Sequence, residues 1–167
     1  IAAAIKGYKC IFVMPDKISL EKVRNLRAFG AKVIVTPTAV APDDPRSYYM
    51  VSRRIAQETP NSIYMNQYDN LSNREAHVHS TGPEIWKQTQ GKLDAFVAGM
   101  GTGGTITGTA TYLKSQNQKV QIVGVDPIGS SQHDYFKTGK MSPAHTYKIE
   151  GIGEDIIPQN YDFTKID

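Results

Sequence analysis

The amino-acid sequence predicts an α/β fold whose mostly parallel, twisted sheets are divided between two lobes. Three observations carry that expectation. Short strand-like runs recur along the chain, at residues 10–14, 32–36 and 120–125, and the apolar run over 10–14 reads as a buried strand, as in a parallel sheet. Amphipathic or Ala/Leu-containing segments separate them, which is the order of βαβ units. One apolar run, residues 93–98, opens directly into four glycines within six residues: Gly99, Gly101, Gly103 and Gly104.

Taken in order, residues 1–5 read as the last turns of a helix whose beginning is missing, so the chain is expected to be a piece of a longer protein. Cys10-Ile-Phe-Val-Met14 is a buried strand ended by Pro15. Ser19 caps a helix with Glu21 in its first turn; Leu20, Val23 and Leu26 share one face, and Gly30 ends it. Residues 32–36 form the next strand, stopped by Pro37. Residues 41–45 are a turn-rich connector. Tyr48, Val51 and Ile55 mark a helix that ends before Pro60, and residues 63–65 a short strand. Residues 73–88 are helical, with Gly82-Pro83 expected to kink or divide them. After the glycines come a helix over 105–115 and a strand over 120–125. Residues 128–147 read as a long loop, 147–149 as a strand, and Glu150-Gly-Ile-Gly153 brings two more glycines. The expected lobes are residues 1–65, the smaller and mobile one, and residues 66–167.

Composition narrows the function classes. The 167 residues carry a formal charge of only +3, without a basic run suited to nucleic acid. The apolar runs are too short to cross a membrane. The single cysteine, Cys10, excludes an internal disulfide and suits a reducing, cytoplasmic setting. In its strand it reads as a packing residue. His77 and His79 are two apart and point to different faces of a helix, so they do not share a metal. His133 and His145 fall in the long loop and read as solvated.

The glycine stretch is the candidate site. Strand, glycine loop and helix start form an anion cradle, with free N–H groups and the positive end of the helix dipole facing the ligand. Two ligands fit. Gly99-x-Gly101-x-x-Gly104 matches the dinucleotide fingerprint, with Asp126 at the end of the next strand placed for a ribose. Thr102 and Thr105 add hydroxyls that suit a terminal phosphate dianion. A Walker A loop is excluded, since no Lys-Ser/Thr pair follows the glycines.

Gly101-Thr-Gly-Gly-Thr105 resembles the phosphate loop of the cysteine synthase and cystathionine β-synthase family of pyridoxal-phosphate enzymes. Other segments resemble the same family in the same order: Pro15-Asp-Lys-Ile-Ser19, Leu26-Arg-Ala-Phe-Gly-Ala31, Asn66-Gln-Tyr68, Thr81-Gly-Pro-Glu-Ile-Trp86, Gly124-Val-Asp-Pro127 and Glu150-Gly-Ile-Gly153. The likeness runs over essentially the whole chain. Tyr68, Pro37-Thr-Ala39, Asp44-Pro-Arg-Ser47 and the acidic residue before Gly151 resemble its cystathionine β-synthase branch.

The resemblance implies the β-family, fold type II, of these enzymes, and pyridoxal 5'-phosphate as cofactor. It implies a lyase that condenses serine with homocysteine, in transsulfuration and cysteine biosynthesis. Gly101, Thr102, Gly103, Gly104 and Thr105 would hold the phosphate. Gln67 would bind the substrate carboxylate, Tyr68 would line the acceptor side, and Gly151, Ile152 and Gly153 would close over the amino acid. The Schiff-base lysine is expected upstream of Ile1. The partners implied are small amino acids and further copies of the chain in a homodimer or larger homo-oligomer. Alternatives are a cysteine synthase using O-acetylserine and sulfide, a nicotinamide-dependent oxidoreductase, and a non-catalytic ligand-binding fragment.

Overall fold

The computed structural model describes residues 1–143, 145 and 147–167. The chain divides into two compact units, Ile1–Tyr64 and Met65–Asp167.

The first unit contains α1 (Ala2–Ile5), β1 (Ile11–Pro15), α2 (Leu20–Ala28), β2 (Lys32–Thr36) and α3 (Tyr48–Glu58). β1 and β2 pair in parallel, Ile11 opposite Lys32 and Pro15 opposite Thr36, with α2 as the crossover. Gly30 ends α2 in a left-handed conformation (φ +82°), which glycine adopts without a Cβ penalty. Ser19 stands before α2 without a side-chain capping bond. Ser47 caps α3 by accepting from the Met50 amide at 3.2 Å. In this unit Val23 and Val51 are buried, whereas Ile11, Phe12 and Val35 are 40–51% exposed. Within these residues β1 and β2 are thus not covered on both faces, and Cys10 is only half-buried. Residues 63–65 are not a strand: no strand among the described residues pairs with them, and Ile63 and Met65 are exposed.

The second unit contains α4 (Ser72–His79), α5 (Thr81–Gln88), β3 (Ala95–Gly99), α6 (Gly104–Gln116), β4 (Gln121–Val125), α7 (Gln132–Thr138) and a 3-10 turn, Phe163–Lys165. β3 and β4 pair in parallel, Ala95 opposite Gln121 and Gly99 opposite Val125. Its core is Met100, Ile106, Ala110, Leu113, Val120, Ile122 and Ile166, with α6 at the centre. The helical stretch over 73–88 is divided as expected, but at Ser80 (φ −127°, ψ −70°) rather than at Gly82-Pro83. Pro83 sits in the first turn of α5, where its missing N–H costs nothing. Gly82 is a contact position: a Cβ there would lie 2.6 Å from Tyr112 Cβ on α6.

Two further expectations are corrected. The stretch over 128–147 is not all loop, because α7 lies within it. That helix is too short to show a period in sequence. Its start is set by acceptors outside the helix: the Ser131 amide donates to Glu154 O (3.0 Å) and the His133 amide to Asp126 Oδ2 (2.9 Å), and Gly139 ends it at φ +70°. Ala144 and Thr146 of the expected loop lie outside the described residues. Residues 147–149 form no strand.

Candidate functional site

The site is built where β3 runs out. Gly103 is the residue before α6 and takes φ +84°, ψ −16°, a left-handed conformation that favours glycine. A Cβ on Gly103 would also meet the Tyr161 ring at 2.8 Å. No side chain caps α6, and its first turn holds no acidic residue. Among the described residues the six backbone amides from Gly101 to Ile106 make no hydrogen bond. Three of these belong to the first helical turn, where intrahelical acceptors do not exist. Met100 before them and Thr107 after them are both paired, to Val125 O (2.9 Å) and Gly103 O (3.0 Å).

Helix α4 reaches the same loop. Asn73 Nδ2 donates to Thr102 Oγ1 (3.1 Å) and to Gln67 O (2.7 Å). His77 Nε2 lies 3.2 Å from Thr105 Oγ1, and its Nδ1 lies 2.8 Å from Thr81 Oγ1. This approach needs the glycines at both contacts. A Cβ on Gly104 would collide with Asn73 Oδ1, and one on Gly108 with Arg74 O and, at 2.8 Å, with His77 Cβ.

The underside of the loop is tied to Gln132 and Tyr161. Gln132 Nε2 donates to Gly101 O at 2.7 Å, and the Tyr161 hydroxyl lies 3.2 Å from the same oxygen and 3.1 Å from Gln132 Oε1. Burial, reinforced by the charges of Asp126 and Glu154, pushes the Tyr161 phenol well above its ordinary range, so it stays protonated as a donor. Tyr161 stacks on Phe163 with 4.7 Å between centroids.

The other candidate residues gather around this loop. Gly153 N donates to Met100 O at 2.6 Å. Gly151 O lies 3.4 Å, and Ile152 Cγ2 2.5 Å, from where a Cβ would stand on Gly101 and Gly99 respectively. Gly151 and Gly153 take φ +88° and +82°. Gln67 is exposed; Tyr68 is 8% exposed, and both carbonyls accept from Asn160 Nδ2, at 2.8 and 2.7 Å.

This arrangement separates the two ligands that the glycine pattern left open. The segment 151–153 covers Gly99 and Gly101, the ground over which a pyrophosphate would have to lie. Asp126 turns one carboxylate oxygen to the start of α7, and the other is buried. The open donors lie instead along the loop and the first turn of α6. Amide donors and hydroxyls without a carboxylate form a donor set that fits a phosphate monoester dianion.

Asn73, His77, Gln132, Asn160 and Tyr161 carry this geometry and were not candidates from sequence. The spacing of Asn73 and His77, four residues apart on one helix face, was the available signal. His79 points away, as expected, and its side chain pairs with Glu75 at 3.6 Å. His133 is exposed as expected, but on α7 rather than in a loop.

A family model described as pyridoxal-phosphate dependent enzyme matches residues 1–167. The chain belongs to this family. Among relatives of the pyridoxal-phosphate dependent family, it is 49% identical over 167 residues to a cystathionine beta-synthase of Oryctolagus cuniculus, covering 100% of this chain and 30% of that protein. It is 45% identical over 158 residues to a cysteine synthase 1 of Neurospora crassa, covering 93% of this chain and 42% of the other. A crystal structure of a hydrogen sulfide-producing enzyme from Fusobacterium nucleatum superposes with a TM-score of 0.82 at 32% identity, over 99% of this chain and 52% of that one. The chain thus spans about a third to a half of the proteins it matches. Its parallel α/β architecture is that of fold type II pyridoxal-phosphate enzymes.

Proposed function

We propose that this chain supplies the phosphate-holding part of a pyridoxal-phosphate enzyme that condenses serine with homocysteine to cystathionine. The observation that carries the cofactor reading is the set of open amides from Gly101 to Ile106, joined by the Thr102 and Thr105 hydroxyls, with no acidic residue in the first turn of α6. When bound, pyridoxal phosphate supplies an electron sink for the substrate amino acid. The chain's own residues anchor its phosphate: the amides and hydroxyls donate, and the dipole of α6 adds roughly half a positive charge at that end. Gly151, Ile152 and Gly153 close off the loop from one side and are read as the segment that covers the substrate. Gln67, exposed beside the loop, is read as the partner of the substrate carboxylate.

The choice of homocysteine as acceptor rests on Tyr68 and on the likeness to cystathionine beta-synthases over the whole chain. Homocysteine brings amino and carboxylate groups that need partners; sulfide brings none. The 45% identity to a cysteine synthase favours a second reading, cysteine formation from O-acetylserine and sulfide.

The complete protein tests both levels. It should bind pyridoxal phosphate and not a nicotinamide dinucleotide; the reverse would sink the cofactor reading. Serine with homocysteine should then yield cystathionine faster than O-acetylserine with sulfide yields cysteine. Tyr68→Phe should lower homocysteine-dependent turnover by about five- to a hundred-fold, the cost of about 1–3 kcal/mol for a polar group left unpaired, and spare sulfide-dependent turnover. Equal effects on both acceptors would favour the cysteine synthase reading.

A further inference from the structure

We infer that Asn73 and His77 are positioning residues that turn both threonine hydroxyls of the glycine loop into hydrogen-bond donors, so that the loop selects a fully deprotonated phosphate monoester. The inference rests on the reading of this loop as the phosphate site.

The argument begins with Asn73. Its Nδ2 lies within bonding distance of both Gln67 O and Thr102 Oγ1. A backbone carbonyl only accepts, so the atom facing it must be the amide nitrogen, and this fixes the orientation of the side chain. An amide nitrogen only donates. Thr102 Oγ1 therefore accepts from Asn73, and the hydroxyl proton of Thr102 must point to another acceptor.

His77 does the same for Thr105 through its tautomer. A neutral imidazole carries one proton. With that proton on Nε2, the ring donates to Thr105 Oγ1 and accepts the Thr81 hydroxyl at Nδ1, at the observed 3.2 and 2.8 Å. The Thr105 proton is then free for a ligand. In the other tautomer Thr105 donates to the ring and has no proton to offer. A phosphate dianion presents only acceptor oxygens, so its binding selects the first arrangement. The chain Thr81, His77, Thr105, phosphate then carries four groups with every proton directed toward the anion. Thr105 is exposed, and Asn73 and His77 are partly buried, so the hydroxyl that meets the ligand is accessible while its supports are sheltered.

Neither side chain would reach the loop if α4 stood at ordinary helix–helix distance. Gly104 and Gly108 share a face of α6, and each lacks the Cβ that would push α4 away. The same two glycines that open the cradle thus also bring its supports into place.

The test uses the complete protein in apo form, titrated separately with pyridoxal phosphate and with pyridoxal, which lacks the phosphate. His77→Leu is expected to weaken pyridoxal phosphate about ten-fold, in the range of a lost charge-assisted hydrogen bond, and to leave pyridoxal unchanged. The phosphorus resonance of bound cofactor should shift. His77→Gln, which keeps a donor, should restore most of the affinity. In a Thr105→Ala background, His77→Leu should add nothing. Thr81→Val, which frees Nδ1, should give a smaller loss in the same direction, and it serves if His77→Leu does not fold. Unchanged affinity in His77→Leu, an equal loss for pyridoxal, or a loss that persists in the Thr105→Ala background would overturn the inference while leaving the site reading intact. A wild-type protein that binds pyridoxal as tightly as pyridoxal phosphate would remove both.

Discussion

Each of the two units contains the same construction, a strand, a helix and a parallel strand with five residues in register. The turn after the first strand makes them different. In the first unit that turn is Pro15-Asp-Lys-Ile-Ser19, and the three amides after Pro15 are claimed. The amides of Asp16, Lys17 and Ile18 donate to Thr36 O, Thr38 Oγ1 and Pro15 O. The Asp16 carboxylate takes both the amide and the hydroxyl of Thr38, and Glu21 sits in the first turn of α2. In the second unit the turn is Met100-Gly-Thr-Gly-Gly104; its amides after Met100 make no hydrogen bond among the described residues, and α6 begins without an acidic residue. A helix start becomes an anion site only when the turn before it leaves its donors unclaimed and keeps carboxylates away.

The strongest way to break this contrast is to give the second turn the chemistry of the first. Thr105→Asp places a carboxylate in the first turn of α6, as Glu21 does in α2. At about 4 Å and an effective dielectric of about 20, a single unit of charge repulsion costs about 4 kcal/mol and a dianion presents two, so affinity of the complete protein for pyridoxal phosphate should fall at least about a thousand-fold. The apo protein should not be destabilised, since an acidic residue at a helix start stabilises by about 0.3–1 kcal/mol. Cofactor titration and thermal melting together check this; parallel losses in both would mean that Thr105 acts through the fold.

A second measurement sharpens the contrast in packing. Leu113 is fully buried at the centre of the second unit, and Leu113→Ala should cost about 2–5 kcal/mol in denaturant melts. Val23 is buried in a much thinner core, and Val23→Ala should cost less, about 1–2 kcal/mol. Equal costs would show that the first unit is packed as tightly as the second.

The pH dependence separates them further. Burial, with the charges of Glu154, Asp155 and Asp126, pushes the Tyr147 phenol up to about 12. A raised folded value means that the unfolded chain ionises first, so this contribution is complete below pH about 10 and is lost as pH rises toward 12. Tyr147→Phe should flatten the alkaline fall in melting temperature. The smallest effect is at the acid end. The Thr38 hydroxyl bonded to Asp16 lowers its carboxyl below the ordinary range, so this exposed group contributes above its unfolded value near 3.8 and the contribution fades as pH falls. Asp16→Asn should therefore matter slightly at neutral pH and not at all in strong acid.

The elements with long or uninterrupted apolar patterns were legible in the sequence. β2 is found at the expected residues, and β3, α6 and β4 within two residues of theirs. What failed depended on partners far along the chain. Residues 63–65 had the composition of a strand, but a strand exists only beside another. α7 is not legible because its start is fixed by the Glu154 carbonyl, which accepts from the Ser131 amide, rather than by its own periodicity. Gly82-Pro83 looked like a breaker and instead serves a close contact with Tyr112. In the site, glycines and threonines announced the loop through local pattern. The side chains that hold it, Asn73, Gln132 and Tyr161, are common polar types whose role comes only from where the fold carries them.

Tyr161 and Asn160 give the loop a place in time as well as in space. The bonds from Tyr161 to Gly101 and from Asn160 to Gln67 close spans of 60 and 93 residues. Contacts of such separation form late, because the chain entropy of closing the span precedes any gain from the contact. β3, α6 and β4 have local partners and can assemble first. During synthesis the cradle therefore stays unfinished until Asn160 and Tyr161 have emerged. Pulse-labelled hydrogen exchange during refolding should show the Gly153 amide protected after those of α6; simultaneous protection would instead mean that the cradle and the core form in one step.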